Sequence, residues 1–160
     1  MDGITFATLL AVCAPLVHPT TARAVVAVES DFNPHAIGVV GGALQRQPRD
    51  RQEALATAAA LQAEGRNFSV GLAQINVVNL DRLGLTIPTA FDACENLRSM
   101  QTILGDCFDR AGGDKAPQRN LRRALSCYYS GDFSTGFSLG YVARVVAAGH
   151  PARVGARGPP

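Results

Sequence analysis

The segment from Asp92 to Gly113 constrains the fold most, because it carries every signal of one long amphipathic helix. Asp92 and Glu95 have the spacing of a capping box, with Asp as the N-cap, and Gly112-Gly113 provides a stop. Between these signals, apolar residues recur at intervals of three and four: Leu97, Met100, Leu104, Phe108 and Ala111. The pattern predicts a helix over residues 93–111 with one face buried in a core.

Four further helices are predicted around this one. Pro19 suits a first helical turn, and Asp50 with Glu53 repeats the capping-box spacing. Leu139 opens the last of them. We expect these helices at about residues 20–30, 51–64, 118–130 and 139–148.

The rest of the chain predicts a small amount of β-structure. Residues 67–80 mix β-branched residues with Gly and polar groups, which indicates a short, irregular β segment such as a hairpin. Residues 34–48 are Gly-rich and predict a loop. The expected class is α+β, mostly α, with one domain at residues 1–148 and a flexible Pro/Gly-rich tail at 149–160.

Composition excludes several classes of protein. The 160 residues suffice for one domain, and 47% hydrophobic with 18% charged residues is globular rather than disordered. A net charge of +2 without a basic cluster gives no support for a nucleic-acid partner. The longest apolar run, Phe6 to Val17, is too short for a stable membrane span, which needs about 20 residues. It predicts a core helix; the alternative is part of a signal peptide, although no basic start or cleavage site supports an export route.

Four cysteines permit two disulfides, and none lies in a CxxC pair that would suggest zinc. Cys94 and Cys107 lie on the predicted long helix, about 20 Å apart at 1.5 Å per residue, and so cannot bond to each other. Two pairings remain. We favour Cys13 with Cys94, and Cys107 with Cys127. Such bridges would suit an oxidising compartment.

Glu29 is the glutamate that capping does not explain. The chain has four glutamates; Glu53 and Glu95 fit helix caps, and Glu64 fits an exposed helix end. Glu29 follows the apolar run AVVAV, where burial would disfavour its charged form and raise its pKa. Such a carboxyl can donate a proton near neutral pH. The alternative is a structural glutamate paired with an arginine such as Arg23.

Two other groups of side chains suit the recognition of sugars. Gln74 and Asn76 alternate along the predicted β segment, which would direct both amides to one side. The three tyrosines all lie in two short stretches, and tyrosine combines an apolar face with a hydroxyl. An exposed polar edge and ordinary core packing are the structural alternatives.

Together these stretches resemble the lytic transglycosylases with a lysozyme-like fold, most closely the branch encoded with type IV secretion systems as the first VirB component. The resemblance covers about residues 10 to 147. Six matching stretches occur in the family's order: CAP at Cys13, ESDFNPHAIGVVGG at Glu29, NFSVGLAQIN at Asn67, AFDACENLR at Ala90, ALSCYYSGDF at Ala124 and GYVARV at Gly140.

The resemblance implies a role for each matching residue. Glu29 corresponds to the family's catalytic glutamate, and Ser30 follows it in the family's Glu-Ser pair. Tyr128 corresponds to the tyrosine that faces the glutamate, and Tyr141 to a later tyrosine that lines the groove. Position 129 is Tyr where the wider family often has Asn.

The motif around the predicted hairpin supplies the remaining expected substrate contacts. Gln74 and Asn76 correspond to glycan-contacting amides, and Ser69 belongs to the same motif. His18, His35 and His150 lack metal-ligand spacing, so neither metal nor cofactor is expected.

The implied chemistry uses one carboxyl. Most glycosidases use two carboxyls, but Glu29 has no obvious second carboxyl as a partner. Asp31 is expected on another helix face, and Asp132 is the only other candidate that lies near a motif. The resemblance implies that Glu29 cleaves peptidoglycan between N-acetylmuramic acid and N-acetylglucosamine, with a 1,6-anhydro product. It also implies a periplasmic location and other secretion components as partners. A lysozyme-type hydrolase, a non-catalytic glycan-binding module and a helical interaction domain are the rival hypotheses.

Overall fold

The long helix predicted from the sequence is α6, which spans Ala93–Ala111 in the computed structural model. The structure describes residues 1–150, so residues 151–160 of the predicted tail lie outside the described part. The other helices are α1 (Gly3–Cys13), α2 (Pro19–Ser30), α3 (Arg51–Ala63), α4 (Leu80–Leu83), α5 (Ile87–Ala90), α7 (Pro117–Ser130), α8 (Thr135–Ser138) and α9 (Tyr141–Gly149).

The helices pack around the buried face of α6. Helix α7 packs along α6, α1 lies against α6, and α2 pairs with α9. The core between them is apolar and includes the fully buried Phe6, Val25, Leu97 and Met100. Burial of such side chains contributes about 1.5 to 3 kcal/mol each. The mostly α prediction is confirmed.

Local capping explains where the predicted helices begin. The Asp92 carboxylate accepts a hydrogen bond from the Glu95 backbone N–H at 3.0 Å, and the Asp50 carboxylate accepts one from the Glu53 N–H at 2.8 Å. Gly112 adopts a left-handed φ of 116° and ends α6. Because each signal acts within four residues, these boundaries could be predicted from the local sequence.

Helix α1 is part of the core. Phe6 and Leu10 are buried, and Cys13 at the end of α1 forms a disulfide with Cys94 on α6. The interpretation of this apolar run as a core helix is therefore confirmed. Across residues 1–150, no helix combines the length and the apolarity needed to cross a membrane.

The second disulfide joins Cys107 on α6 to Cys127 on α7. Of the two pairings that the cysteine spacing left open, these bridges form the one that we favoured. Both include α6, so this helix is covalently joined to α1 and to α7. The four cysteines are all used in this way.

The small sheet differs from the prediction. Its three antiparallel strands are β1 (Ile37–Val39), β2 (Phe68–Val70) and β3 (Ile75–Asn76), with β2 in the centre. Strand β1 lies in the segment predicted as a loop, and it pairs Ile37 with Val70. Three residues among glycines are too few to produce a periodic pattern, which explains why β1 was missed.

The C-terminal prediction also needs a correction. Residues 135–138 form the separate helix α8, and α9 begins at Tyr141 rather than at Leu139. Gly140 has a left-handed φ of 78° and separates the two helices. Gly149, predicted as the first residue of the tail, is the last residue of α9.

Candidate active site

Glu29 is the penultimate residue of α2, and the chain reverses directly after this helix. Asp31 and Phe32 both adopt left-handed backbone conformations, with φ values of 50° and 61°. Non-glycine residues rarely adopt this conformation, so two in succession store strain beside the site. The Ser30 hydroxyl donates a 2.7 Å hydrogen bond to the Leu72 carbonyl, which ties this helix end to the turn between β2 and β3.

The Glu29 carboxyl has a direct partner on α9. The Tyr141 hydroxyl donates a 2.7 Å hydrogen bond to Glu29 Oε1. Desolvation by the surrounding protein raises the pKa of Glu29 to about 7, although the Tyr141 hydrogen bond and the positive charge of Arg144 act to lower it. At neutral pH this carboxyl therefore exchanges readily between its protonated and ionised forms.

Arg23, the alternative partner considered for Glu29, is engaged elsewhere. Its guanidinium lies 5.6 Å from the centre of the Phe6 ring and 5.7 Å from the centre of the Phe32 ring. These are cation–π distances. Within residues 1–150, no ion pair joins Arg23 to Glu29.

Glu29 opens into a cavity of about 490 Å³ between the sheet and α7. Among the residues that the structure describes, Glu29 is the only carboxyl in its lining. The lining also contains Gly38, Val39, Val40, Gly41, Ser69, Gln74, Ile75, Asn76, Asn79, Ile103, Tyr128 and Tyr129. Amides, hydroxyls and small apolar groups therefore surround one proton-exchanging acid.

A buried amide fixes the turn that forms one wall of this cavity. Asn96 on α6 is fully buried; its Nδ2 donates to the carbonyls of Val70 and Ala90, and its Oδ1 accepts from the Ala73 N–H. The turn passes closely over this amide, and a Cβ on Gly71 would lie only 2.3 Å from Asn96 Nδ2. The φ of Gly71 is 81°, so glycine is favoured for conformation as well as for space.

Tyr128 reaches this same turn from α7. Its hydroxyl donates a 2.6 Å hydrogen bond to the Ala73 carbonyl, and its ring lines the cavity. Burial raises the pKa of the Tyr128 hydroxyl well above its ordinary value, and the nearby negative charge of Glu29 raises it further. Tyr128 therefore lies near Glu29 as expected, but its hydrogen bond goes to the backbone.

Gln74 lines the cavity for a different reason from the one predicted. It is not in a strand: its φ is 51°, and it occupies the turn before β3. Its Nε2 donates to the carbonyls of Ala36 and Gly71, at 3.1 and 3.0 Å. Both amide hydrogens are thus used, which leaves Oε1 as the group free to accept. A Cβ on Gly38 would lie 2.6 Å from this oxygen, so the close approach requires glycine.

Asn76 is the partner of Ser69 across the hairpin. Its Nδ2 lies 3.2 Å from the Ser69 hydroxyl, and its Oδ1 accepts from the Val78 N–H at 3.0 Å. Since a side-chain amide carries two N–H donors, one donor of Asn76 remains for a ligand. The prediction that strand alternation aligns Gln74 with Asn76 was wrong, although both side chains line the cavity.

Two of the expected substrate contacts are not among the residues that line the cavity. Tyr141 is 2% exposed and does not line the cavity; it contacts Glu29 instead. Ser30 is also not part of the lining, and its hydroxyl is bonded to Leu72. The hydroxyls of both residues are therefore engaged by other groups of the protein.

Asp31 and Asp132, which were considered as a second catalytic carboxyl, are also absent from the lining of the cavity that contains Glu29. Asp132 accepts hydrogen bonds from the backbone and hydroxyls of Thr135 and Ser134, which hold its pKa well below the usual range. Neither Asp132 nor Asp31 lines the cavity. In the described part of the chain, no three His, Cys, Asp or Glu side chains come together as a metal site.

Tyr129 is a site residue that the sequence analysis did not assign. Its ring stacks on Tyr141, with centres 4.5 Å apart and planes 14° apart. Tyr129 also lines a second cavity of about 770 Å³ that continues from the first along α6 and α7. The substitution of Tyr for the family's frequent Asn at position 129 was the signal that could have identified it.

Comparison with known proteins shows the family to which this chain is similar. The family model described as "Transglycosylase SLT domain" matches residues 10–145. The type IV secretion system protein virB1 of Brucella suis biovar 1 (strain 1330) is 49% identical over 152 residues, which cover 91% of this chain and 64% of the relative. Protein virB1 of Agrobacterium fabrum (strain C58) is 41% identical over 142 residues, which cover 85% of this chain and 56% of the relative. The chain thus spans less than two thirds of the length of these relatives. No solved structure matches the chain at a significant level.

Proposed function

The chain belongs to the transglycosylase SLT domain family, and from this membership we propose that it is a lytic transglycosylase of peptidoglycan. The substrate bond is the β-1,4 linkage between N-acetylmuramic acid and N-acetylglucosamine. The observation that carries the proposal is the environment of Glu29. It combines a pKa raised to about 7, a fixed orientation through Tyr141, and a position in the wall of the cavity.

In the first step, protonated Glu29 gives its proton to the glycosidic oxygen, and the bond from that oxygen to muramyl C1 breaks. A raised pKa suits this step because the acid remains partly protonated at neutral pH. The acetamido group of the substrate stabilises the positive charge that develops at C1. No second carboxyl is needed, which agrees with a single carboxyl in the described lining of the cavity.

In the second step, ionised Glu29 accepts the proton of the muramyl C6 hydroxyl. The C6 oxygen forms a bond to C1, which closes the 1,6-anhydro ring. Glu29 returns to its protonated form, and no water is consumed. One residue whose pKa lies near the working pH can serve as both acid and base.

The glycan would be held by groups that the protein leaves unpaired. Gln74 Oε1 can accept a hydrogen bond from a sugar hydroxyl or an acetamido N–H, and the remaining N–H of Asn76 can donate one. Ser69 lies beside Asn76 in the same wall. Residues 1–148, together with Gly149 at the end of α9, would form the catalytic domain.

The biological setting is proposed from the relatives. The name of the Brucella suis relative, type IV secretion system protein virB1, supports a role in opening the cell wall locally for a secretion apparatus, whose other components would be partners. Peptidoglycan as substrate supports a periplasmic location. The two disulfides are consistent with an oxidising compartment.

The test is the digestion of purified peptidoglycan by the wild type and by Glu29→Gln, followed by mass spectrometry of the products. We expect anhydromuramyl products from the wild type, and a loss in rate of about 10²- to 10⁴-fold in the variant. Glu64→Gln, at the exposed end of α3, is the matched control and should digest normally. Reducing-end muramic acid would instead identify a lysozyme-type hydrolase. Binding without any product would favour a non-catalytic module.

A further inference from the structure

Tyr129 has the geometry of a rigid aromatic surface. One face of its ring stacks on Tyr141, which is itself 2% exposed and held by its hydrogen bond to Glu29. Tyr129 as a residue nevertheless remains 42% exposed. Because Tyr141 covers one face, the opposite face of the ring is the one left for a ligand.

The position of Tyr129 is as informative as its exposure. It lines both the cavity that contains Glu29 and the cavity that continues from it along α6 and α7. Over residues 1–150, the aromatic side chains that line these two cavities are Tyr128 and Tyr129. Tyr128 is partly buried and bonded to the Ala73 carbonyl, so Tyr129 provides the more accessible ring.

We propose that Tyr129 is a substrate-contacting residue on whose free face a sugar ring of the glycan strand stacks, beside the reacting bond. This inference rests on the proposed function and names the residue that supplies the apolar contact. Sugar rings present apolar C–H faces. When such a face stacks on the Tyr129 ring, the apolar surfaces of both the sugar and the tyrosine are removed from water. The chain has no tryptophan that could supply an alternative stacking surface.

The stack on Tyr141 reduces the cost of this contact. A side chain that is free in solution loses rotamer freedom when it binds a ligand, at about 0.5 to 1.5 kcal/mol per side chain. Tyr129 is already held against a buried ring that is anchored at Glu29. The aromatic surface is therefore preorganised, and its distance from the acid is fixed through Tyr141.

The test measures binding in the Glu29→Gln background, so that it does not depend on turnover. Each protein is incubated with insoluble peptidoglycan, sedimented, and quantified in the pellet. Adding Tyr129→Leu should weaken binding by about two- to tenfold, the range typical of a lost aromatic contact. Combining Glu29→Gln with Tyr129→Phe instead should leave the affinity close to that of Glu29→Gln alone, because the aromatic ring is kept. Phe137→Leu removes a similarly exposed aromatic (46%) outside the cavity lining and should have no effect.

Kinetics and fluorescence provide the second measurement. In the otherwise wild-type enzyme, Tyr129→Leu should raise KM more than it lowers kcat. In the unmutated chain, tyrosine fluorescence should change when oligomers of N-acetylglucosamine bind. This change should be smaller in Tyr129→Phe, where only Tyr128 remains as a tyrosine in the described lining of the two cavities.

Two results would overturn the inference: binding by Tyr129→Leu equal to its parent, or a fluorescence change that is undiminished in Tyr129→Phe. If the wild type releases no product while Tyr129→Leu still binds more weakly, the proposed activity fails and the inference stands. If no protein binds peptidoglycan, both fail.

Discussion

The hydroxyl of Tyr141 donates a 2.7 Å hydrogen bond to Glu29 Oε1, which joins residues that are 112 positions apart in the chain. It connects the end of α2 to the start of α9, two helices that pack against each other. Tyr141 is buried, so water cannot readily replace the bond if it is removed. The orientation and the proton affinity of Glu29 both depend on this contact.

Tyr141→Phe should lower kcat/KM by about tenfold or more, since a hydrogen bond to a charged group is worth about 1.5 to 3 kcal/mol. The bond lowers the pKa of Glu29 by favouring the carboxylate. Its removal should therefore raise this pKa and shift the alkaline limb of the pH–rate profile, expected near pH 7 in the wild type, to higher pH. Initial rates of release of anhydromuramyl products across pH would measure this. An alkaline limb that stays in place would contradict the assigned contact.

Stability should depend on pH through Glu29. Its pKa in the folded protein, about 7, is above the ordinary value of 4.5. The folded state thus binds this proton more tightly than the unfolded state, and stability falls as pH rises from about 4.5 through 7. Glu29→Gln removes the ionisation, so at pH 8 it should be more stable than the wild type, by up to about 3 kcal/mol.

At pH 4 the same two proteins should unfold at nearly equal urea concentrations, because the wild-type carboxyl is then mostly protonated in both states. The exposed Glu64→Gln serves as the control and should change stability little at either pH. An advantage of Glu29→Gln that is equal at pH 4 and pH 8 would show that the gain does not come from ionisation.

Asn96→Ala should destabilise the fold by at least about 3 kcal/mol. The change leaves the carbonyls of Val70 and Ala90 and the N–H of Ala73 without their partner, and each unsatisfied buried group costs about 1 to 3 kcal/mol. Urea unfolding measures the loss, with the exposed Asn67→Ala as control. A loss below 1 kcal/mol would mean that the turn does not depend on this amide.

The two disulfides should differ in their contribution to stability. Cys13–Cys94 closes a loop of 81 residues and Cys107–Cys127 one of 20. By loop-closure entropy, replacing both cysteines of a pair with serine should cost about 4.5 kcal/mol for the first and about 3 kcal/mol for the second. Urea unfolding of the two double variants, compared with the oxidised wild type, would measure this order. A larger loss for Cys107–Cys127 would show that loop entropy does not control the effect.

The elements that the sequence predicted well are those governed by local signals. The bounds of α6 follow from an aspartate cap, an apolar stripe and a glycine stop, which all act within a few residues. Strand β1 could not be predicted in this way, because it exists through its pairing with β2, about 30 residues later. The left-handed turn at Gln74 likewise depends on contacts with Ala36 and Gly71 that a strand pattern does not encode.

In the candidate active site, too, the features set by neighbouring residues could be predicted, and those set by contacts between distant residues could not. The apolar residues before Glu29 indicated a carboxyl with a raised pKa, and the pKa is raised by burial. The partner of this carboxyl could not be deduced locally, because Tyr141 reaches it from the far end of the chain. The stacking of Tyr129 on Tyr141 was missed for the same reason: it depends on how α7 and α9 pack.

Helix α2 ends at Ser30, one residue after the acid, and this position has an electrostatic consequence. The last carbonyls of a helix carry a partial negative charge equivalent to about half an electron. A carboxylate in the last turn is disfavoured by about 0.3 to 1 kcal/mol. This turn contains no basic side chain, and the positive charge of Arg144 on α9 acts in the opposite direction. The backbone dipole thus favours return of the proton to Glu29 after each transfer. This field would persist in any variant that keeps the helix ending at this residue.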